Sequence, residues 1–252
     1  MSVKLEVIKW ERLLNGDATE KSRLLDTCRK IGIFHLDLSG TNTQNLLKDL
    51  RIVDDAQTVF FEHDVETKMK YATGVPDRGY ERFNDTNVDI LELSREEELS
   101  GKLALPEEFH AIRSSLQNVT NSSDSILRKI ASILCSSLEP PMSASVAANS
   151  QRPGKSNLGL GIARAPAGTQ LMSSHADDGL LTILYHITPF IEIPAPVPGG
   201  WALIEMAEDL HIVNVGEALE RLSEGRLRSA PHRITQAEGD NHLITYYLHT
   251  DS

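Results

Sequence analysis

Apolar positions repeat with two different periods along this chain, and the change from one to the other falls past its middle. Leu24, Leu25, Cys28 and Ile31 recur at helical spacing, with Asp17 placed to cap the start and Gly32 to end the helix in a left-handed residue. The stretch Gly32-Ile33-Phe34-His35-Leu36-Asp37-Leu38 then alternates apolar and polar up to Ser39-Gly40, which predicts a strand closed by a turn. Leu46, Leu47, Leu50, Val53, Gln57, Phe60 and Phe61 trace one face of a long helix that runs out through Glu66 to Tyr71. Thr73 to Leu105 lacks strong periodicity and reads as loop with short strands. Two further helical patterns lie between Pro106 and Leu138, separated by the polar run Asn118 to Ser125.

From Asn157 onward the character changes to short apolar runs divided by turn residues: Leu158 to Ala163, Leu180 to Ile187, Phe190 to Ile193, Trp201 to Met206, His211 to Val215 and Leu243 to Leu248. Such spacing predicts a double-sheet jelly roll, with one helix around Glu217 to Leu222 stopped by Gly225. The fold class expected is mixed α and β, a double-stranded β-helix (jelly-roll) core with an N-terminal helical region packed around it. Residues 1–138 form the helix-rich region of the same enzyme unit, 157–252 the jelly roll, and 139–156, with Pro140-Pro141 and Pro153-Gly154, the linker.

Composition narrows the functional classes. An apolar fraction of 40% against 24% charged residues supplies a sizeable core and excludes a disordered or collagenous chain. A formal net charge of −11, with no cluster of basic residues, repels a phosphate backbone, so no nucleic-acid partner is expected. No apolar run is long enough to span a bilayer and Met1 to Trp10 does not read as a secretory leader, so neither a membrane nor secretion is expected. Cys28 and Cys135 both sit at helical apolar spacing and read as buried reduced thiols, which suits the cytoplasm.

The chemistry concentrates in His175-Ala176-Asp177 and, much further on, His232. In a strand-like stretch residues i and i+2 project to one side, so His175 and Asp177 can occupy neighbouring positions on a metal. A second imidazole from a later strand completes one face. Two imidazoles and a carboxylate with the opposite positions open suit Fe(II), with room for dioxygen and a further ligand. Asp178, one residue on, is expected to face solvent. No catalytic residue beyond the metal ligands is singled out, and Asn214 reads as a structural hydrogen-bonding residue.

Around these residues the chain resembles the isopenicillin N synthase-like branch of the Fe(II)- and 2-oxoglutarate-dependent dioxygenases. Ser174-His175-Ala176-Asp177-Asp178-Gly179-Leu180-Leu181-Thr182-Ile183-Leu184 is similar to its metal motif and following strand. Val213-Asn214-Val215-Gly216-Glu217-Ala218-Leu219-Glu220-Arg221-Leu222, leading into Gly225 to Ile234, is similar to its next run. Gly32 to Leu36, Phe60-Phe61 and Glu66 to Tyr71 extend the likeness into the first half. The resemblance implies an oxidoreductase with Fe(II) held by His175, Asp177 and His232, with 2-oxoglutarate as cosubstrate, oxidising a small organic molecule with dioxygen by hydroxylation, desaturation or cyclisation.

Two departures bear on the cosubstrate. The family carries a Tyr before the Pro of the strand leading to the metal motif, where this chain has Ala165 in Arg164-Ala165-Pro166. The family also carries an Arg and a Ser that bind the distal carboxylate of 2-oxoglutarate, where this chain has Asn241-His242-Leu243. A planar guanidinium grips a carboxylate with paired charge-assisted bonds that an Asn amide does not reproduce. Arg164 is the first substitute cation expected here and His242 the second, with Asn241 at the position of the missing Arg. Two alternatives stand beside the dioxygenase: an Fe(II)/dioxygen oxidase without 2-oxoglutarate, and a non-catalytic small-molecule binding protein on the same fold.

Overall fold

The computed structural model describes residues 1–142, 156–185, 190–195, 197, 199–207 and 209–249. Two short strands, β1 (Ser2–Val3) and β2 (Val7–Lys9), and a helical turn, α1 (Trp10–Leu14), precede the first long helix, α2 (Ala18–Lys30). Asp17 caps α2 as its sequence position implies, its carboxylate accepting the Glu20 N–H at 3.0 Å. Gly32 closes the helix at φ +71°, and a Cβ there would lie 1.9 Å from the Arg228 carbonyl oxygen, so the position requires glycine for conformation and for space. The chain turns directly into β3 (Ile33–Asp37), the strand expected from alternation.

Helix α3 (Gln44–Glu62) buries Leu46, Leu50, Val53, Phe60 and Phe61 on one face, and α4 (Val65–Met69) continues it. The weakly periodic stretch that follows forms the hairpin β4 (Gly79–Phe83) and β5 (Val88–Ser94), then the turn of helix α5 (Arg95–Leu99). The two helices expected between Pro106 and Leu138 are instead one, α6 (Arg113–Ser137). Its polar middle does not break it because hydroxyls bond back one turn, Thr120 to the Leu116 carbonyl at 3.0 Å and Ser123 to that of Val119 at 2.6 Å. Apolar spacing through Leu116, Val119, Ile126, Leu127, Ile130 and Leu134 keeps one face buried throughout.

Beyond residue 156 come β6 (Asn157–Ala163), β7 (Gln170–His175), β8 (Leu181–Tyr185), β9 (Ile191–Pro194), β10 (Trp201–Ile204) and β11 (Leu210–Val215). Helix α7 (Glu217–Leu222), β12 (His232–Thr235) and β13 (Asn241–Leu248) complete the order. These strands divide between two sheets, β1-β10-β9-β12-β7 and β2-β3-β11-β8-β13-β6-β5-β4, which is the jelly roll widened by strands of the first half. β3 pairs with β11 and β5 with β6, so pairing crosses the expected division of the chain. Of the linker expected at 139–156, residues 143–155 lie outside the described residues, as do parts of the expected apolar run Leu180 to Ile187. Strands β7 and β12 carry few buried apolar residues, and for that reason no apolar run announces them.

Side chains alternate across the larger sheet. One face, with Phe34, Leu36, Leu160, Ile183, Ile244 and Tyr246, packs against α2, α3 and α6 in the main core. The other face, with Ile33, Leu184, Ile212 and Leu243, meets Ile191, Ile193, Ile204 and Ile234 of the smaller sheet. No helix among the described residues is long and apolar enough to cross a membrane. Cys28 and Cys135 are free and buried.

An ion pair locks α4 to the hairpin. Lys68 Nζ lies 2.6 Å from Asp89 Oδ2, donates also to the Phe61 carbonyl, and both residues are buried. Tyr80 donates to the other Asp89 oxygen at 2.8 Å. Arg82 Nη1, part exposed, also pairs with Asp89 at 3.1 Å, so the carboxylate keeps a cation without Lys68, whereas the buried Lys68 has Asp89 as its ionic partner. Removing that partner strands the ammonium, and Asp89→Leu is therefore expected to lower unfolding stability by about 3 kcal/mol in urea titration, with Lys68→Met/Asp89→Leu recovering part of it. A single variant within about 0.5 kcal/mol of the parent would show that the stranded ammonium carries no such penalty.

Candidate metal centre

Strands β7 and β12 run antiparallel with His175 directly opposite His232, and the ring centroids lie 4.4 Å apart. Each ring is oriented by its own strand end: His175 Nδ1 is 2.8 Å from the Ser173 carbonyl oxygen and His232 Nδ1 is 3.0 Å from that of Ala230. A neutral imidazole with its proton on Nδ1 donates to those carbonyls and turns the lone pair of Nε2 inward. Burial of His232 pushes its pKa down, which keeps it neutral and able to ligate, against the opposing pull of Asp177. The Nε2 atoms lie 3.6 Å (His175) and 3.8 Å (His232) from Asp177 Oδ1. Such distances are too long for hydrogen bonds and suit atoms that share an ion. One ligand atom from each residue falls within 4.8 Å of the others.

Asp177 reaches this position by a different route from the one its spacing suggests. β7 ends at His175, so the pleat of a strand does not set the Asp177 side chain. The turn carrying it is gripped by the start of α7, whose Glu217 N–H donates to the Asp177 carbonyl at 2.7 Å and whose Ala218 N–H donates to that of Asp178 at 3.1 Å. Gly216 makes this docking possible, since a Cβ there would lie 2.2 Å from the Gly179 carbonyl oxygen and 2.8 Å from that of Asp177. Asn214, buried on β11, donates from Nδ2 to Asp177 Oδ2 at 2.9 Å and leaves Oδ1 facing the imidazoles. Asn214 is thus a positioning residue, a role its sequence context alone did not distinguish from ordinary structural bonding. Asp178 is exposed, as expected.

Polar groups continue from the triad along the inner face of the larger sheet. The Tyr247 phenol is pushed well above its ordinary range by burial and by the negative charges of Asp177 and Glu92, which brackets it between the metal site and β5. Glu92 is raised to about 7 by burial and by Asp77 and Glu81, while Asn157 Nδ2 donates to it at 2.6 Å. No sequence signal marked Glu92, because β5 lies in the stretch with weak periodicity and its inward side is set by pairing with β6. His175 keeps 30% of its side chain exposed against 5% for His232, so the site opens on the β7 side.

The residues expected to bind a cosubstrate carboxylate do not converge. Asn241 and Leu243 project between the sheets, where both line a cavity with Gly161 and Ala163. Arg164 and His242 require correction: both face helix α3, on the opposite side of the sheet. Arg164 bonds Asp240 at 3.1 Å, Glu62 at 3.3 Å and the Phe61 carbonyl at 3.4 Å. His242 Nδ1 is 2.8 Å from Asp54 Oδ1, a contact that raises the imidazole pKa. The physical reason is the two-residue period of a strand, which sends His242 to the face opposite Asn241 and Leu243. The donor set of His175, Asp177 and His232 suits Fe(II). The cavity beside it holds no cation for the distal carboxylate of 2-oxoglutarate among the described residues, and this end of the pocket does not fit that group.

Residues 155–250 match the model of the 2OG-Fe(II) oxygenase superfamily. A 2-oxoglutarate-dependent dioxygenase of Gibberella zeae is 27% identical over 98% of this chain and 80% of its own length. One from Dothideomycetidae sp. is 25% identical over 98% of this chain and 82% of its own. A full-length Neurospora crassa protein, solved in complex with alpha-KG and 5-formyluracil, superposes with a TM-score of 0.79 at 18% identity, covering 97% of this chain and 84% of that one. The dioxygenase for auxin oxidation 1 from Arabidopsis thaliana, solved with 2-oxoglutarate, does so with a TM-score of 0.77 at 17% identity, covering 98% and 92%. At these identities the solved structures speak for the fold alone, and the family match places residues 155–250, which carry the facing His, Asp and His side chains, in the 2OG-Fe(II) oxygenase superfamily.

Proposed function

We propose that this protein is an Fe(II)/2-oxoglutarate-dependent dioxygenase-type enzyme that oxidises a small organic molecule with dioxygen. The observation that carries the reading is the convergence of His175, Asp177 and His232 within 4.8 Å, open on one side. These three residues would hold the iron, and the iron when bound supplies the activation of dioxygen that no side chain can perform. The protein's own part is orientation. Ser173 and Ala230 carbonyls select the imidazole tautomers, Asn214 holds the far oxygen of Asp177, and α7 holds the turn beneath it. The jelly roll encloses His232, whose side chain is 5% exposed, and leaves the His175 side of the site open to an incoming ligand. Residues 1–138 and 157–252 work as one enzyme unit, since strands of the first part complete the sheets of the second.

The absence of a cation from the cavity wall, among the described residues, gives some weight to a second reading, an oxidase in which the substrate alone supplies the electrons. An intact triad with oriented tautomers weighs against a non-catalytic binding protein, which needs no such arrangement. The free, buried state of Cys28 and Cys135 supports a cytoplasmic location.

His175→Ala, Asp177→Ala and His232→Ala are each expected to abolish stoichiometric Fe(II) binding and oxygen consumption while leaving the circular dichroism spectrum unchanged, because open sites of this kind do not hold a fold together. Full iron content and turnover in Asp177→Ala would sink the ligand assignment. Asn214→Ala should weaken Fe(II) about 10- to 100-fold in a competitive chelator titration, the usual effect of losing a group that orients a ligand. Unchanged iron affinity in that variant would reduce Asn214 to a packing role.

A further inference from the structure

A cavity of about 270 Å³ lies between the two sheets beside the triad. Its wall includes Ser173, two residues before His175, and Ile234, two residues after His232, so the two strands that carry the imidazoles also form this wall. Val88, Ile90, Leu171, Phe190, Ile234 and Leu243 supply most of the surface, and Phe83 and Met172, 42% and 39% exposed, form an apolar rim. No charged side chain among the described residues lines it. Its polar groups are the Thr86 and Ser173 hydroxyls and the Asn241 amide, whose Nδ2 is buried without a partner. Arg164 and His242, the substitute cations expected from the sequence, are on the other face of the sheet and engaged with carboxylates.

A carboxylate entering this space would leave water for a wall offering only neutral donors, and one amide N–H does not offset the desolvation of a charge. An alkyl chain entering it gains about fourfold in affinity for each methylene removed from water. Since a 2-oxo acid presents its keto and carboxylate oxygens at one end, that end can face the triad while the remainder occupies the cavity. We propose that the cavity receives the apolar tail of a monocarboxylic 2-oxo acid, so that this chain takes an aliphatic 2-oxo acid in preference to 2-oxoglutarate. The proposal rests on the dioxygenase reading above and specifies its cosubstrate. The balance is that of the class: the 2-oxo acid loses its carboxyl carbon as carbon dioxide and becomes the acid one carbon shorter, taking up one atom of dioxygen. The other atom enters a C–H bond of the substrate as a hydroxyl. Two electrons come from the 2-oxo acid and two from that C–H bond.

The test uses the anaerobic Fe(II)-loaded protein, titrated with 4-methyl-2-oxopentanoate and separately with 2-oxoglutarate, read by the visible band that a 2-oxo acid produces on chelating Fe(II). At least tenfold tighter binding of 4-methyl-2-oxopentanoate is expected. Asn241→Arg, which sets a guanidinium in the wall, should shift the preference at least tenfold toward 2-oxoglutarate. A thermal melt of each variant with Fe(II) alone establishes that it is folded. Tighter binding of 2-oxoglutarate to the parent protein would overturn the proposal. So would a band with neither acid, which would hand the cavity to the apolar part of the substrate. In both cases iron binding and oxygen consumption lost in the triad variants still decide the enzyme reading by themselves.

Discussion

The pairing of two short strands, with His175 opposite His232, is the constraint on which the rest of the site depends. Neither β7 nor β12 is rich in buried apolar residues, and β7 lies at the edge of its sheet. Their position is secured from outside, by β9 pairing with β12 and by Ile191, Ile193 and Ile204 of the same sheet, which pack against the larger sheet. The carbonyls of Ser173 and Ala230 then turn the two rings without help from any distant group. What remains is to bring a carboxylate to the same point, and that falls to a turn rather than a strand.

That turn couples the site to the body of the fold. Asp177 and Gly179 rest against Gly216 and the first N–H groups of α7, while the Asp177 carboxylate is held by Asn214 from β11. Since β11 pairs with β3, the ligand set is braced by the half of the chain that contributes none of its ligands. A side chain larger than hydrogen at residue 216 would push directly on this turn, which links a glycine distant in sequence to the geometry of the metal site.

The faces of the larger sheet divide the electrostatics. Outward, cations and carboxylates meet between strands and helices, as in Lys68 with Asp89, Arg164 with Glu62, and His242 with Asp54. Inward, polarity is concentrated near the metal site around Tyr247, Glu92 and Asn157, and gives way to an uncharged wall further along the same strands. A ligand spanning this interior meets a polar, metal-facing end and an apolar end, and that gradient sets what can bind.

Local pattern was enough to read α2 with its Asp17 cap, the face of α3, strand β3 and most strands of the jelly roll, because burial of one face writes a period into the sequence. The choice of His175, Asp177 and His232 was also legible, through motif and resemblance. Local pattern misjudged α6, where the back-bonds of Ser123 and Thr120 let polar residues stay helical, and passed over β7 and β12, whose residues face a site instead of a core. It placed Asp177 on a strand that ends two residues earlier, and it could not tell which side of the sheet Arg164 and His242 face. Those matters were settled only by tertiary structure, because strand register and the docking of α7 depend on partners far away in the chain, and a shift of one residue exchanges the inside of a sheet for its outside.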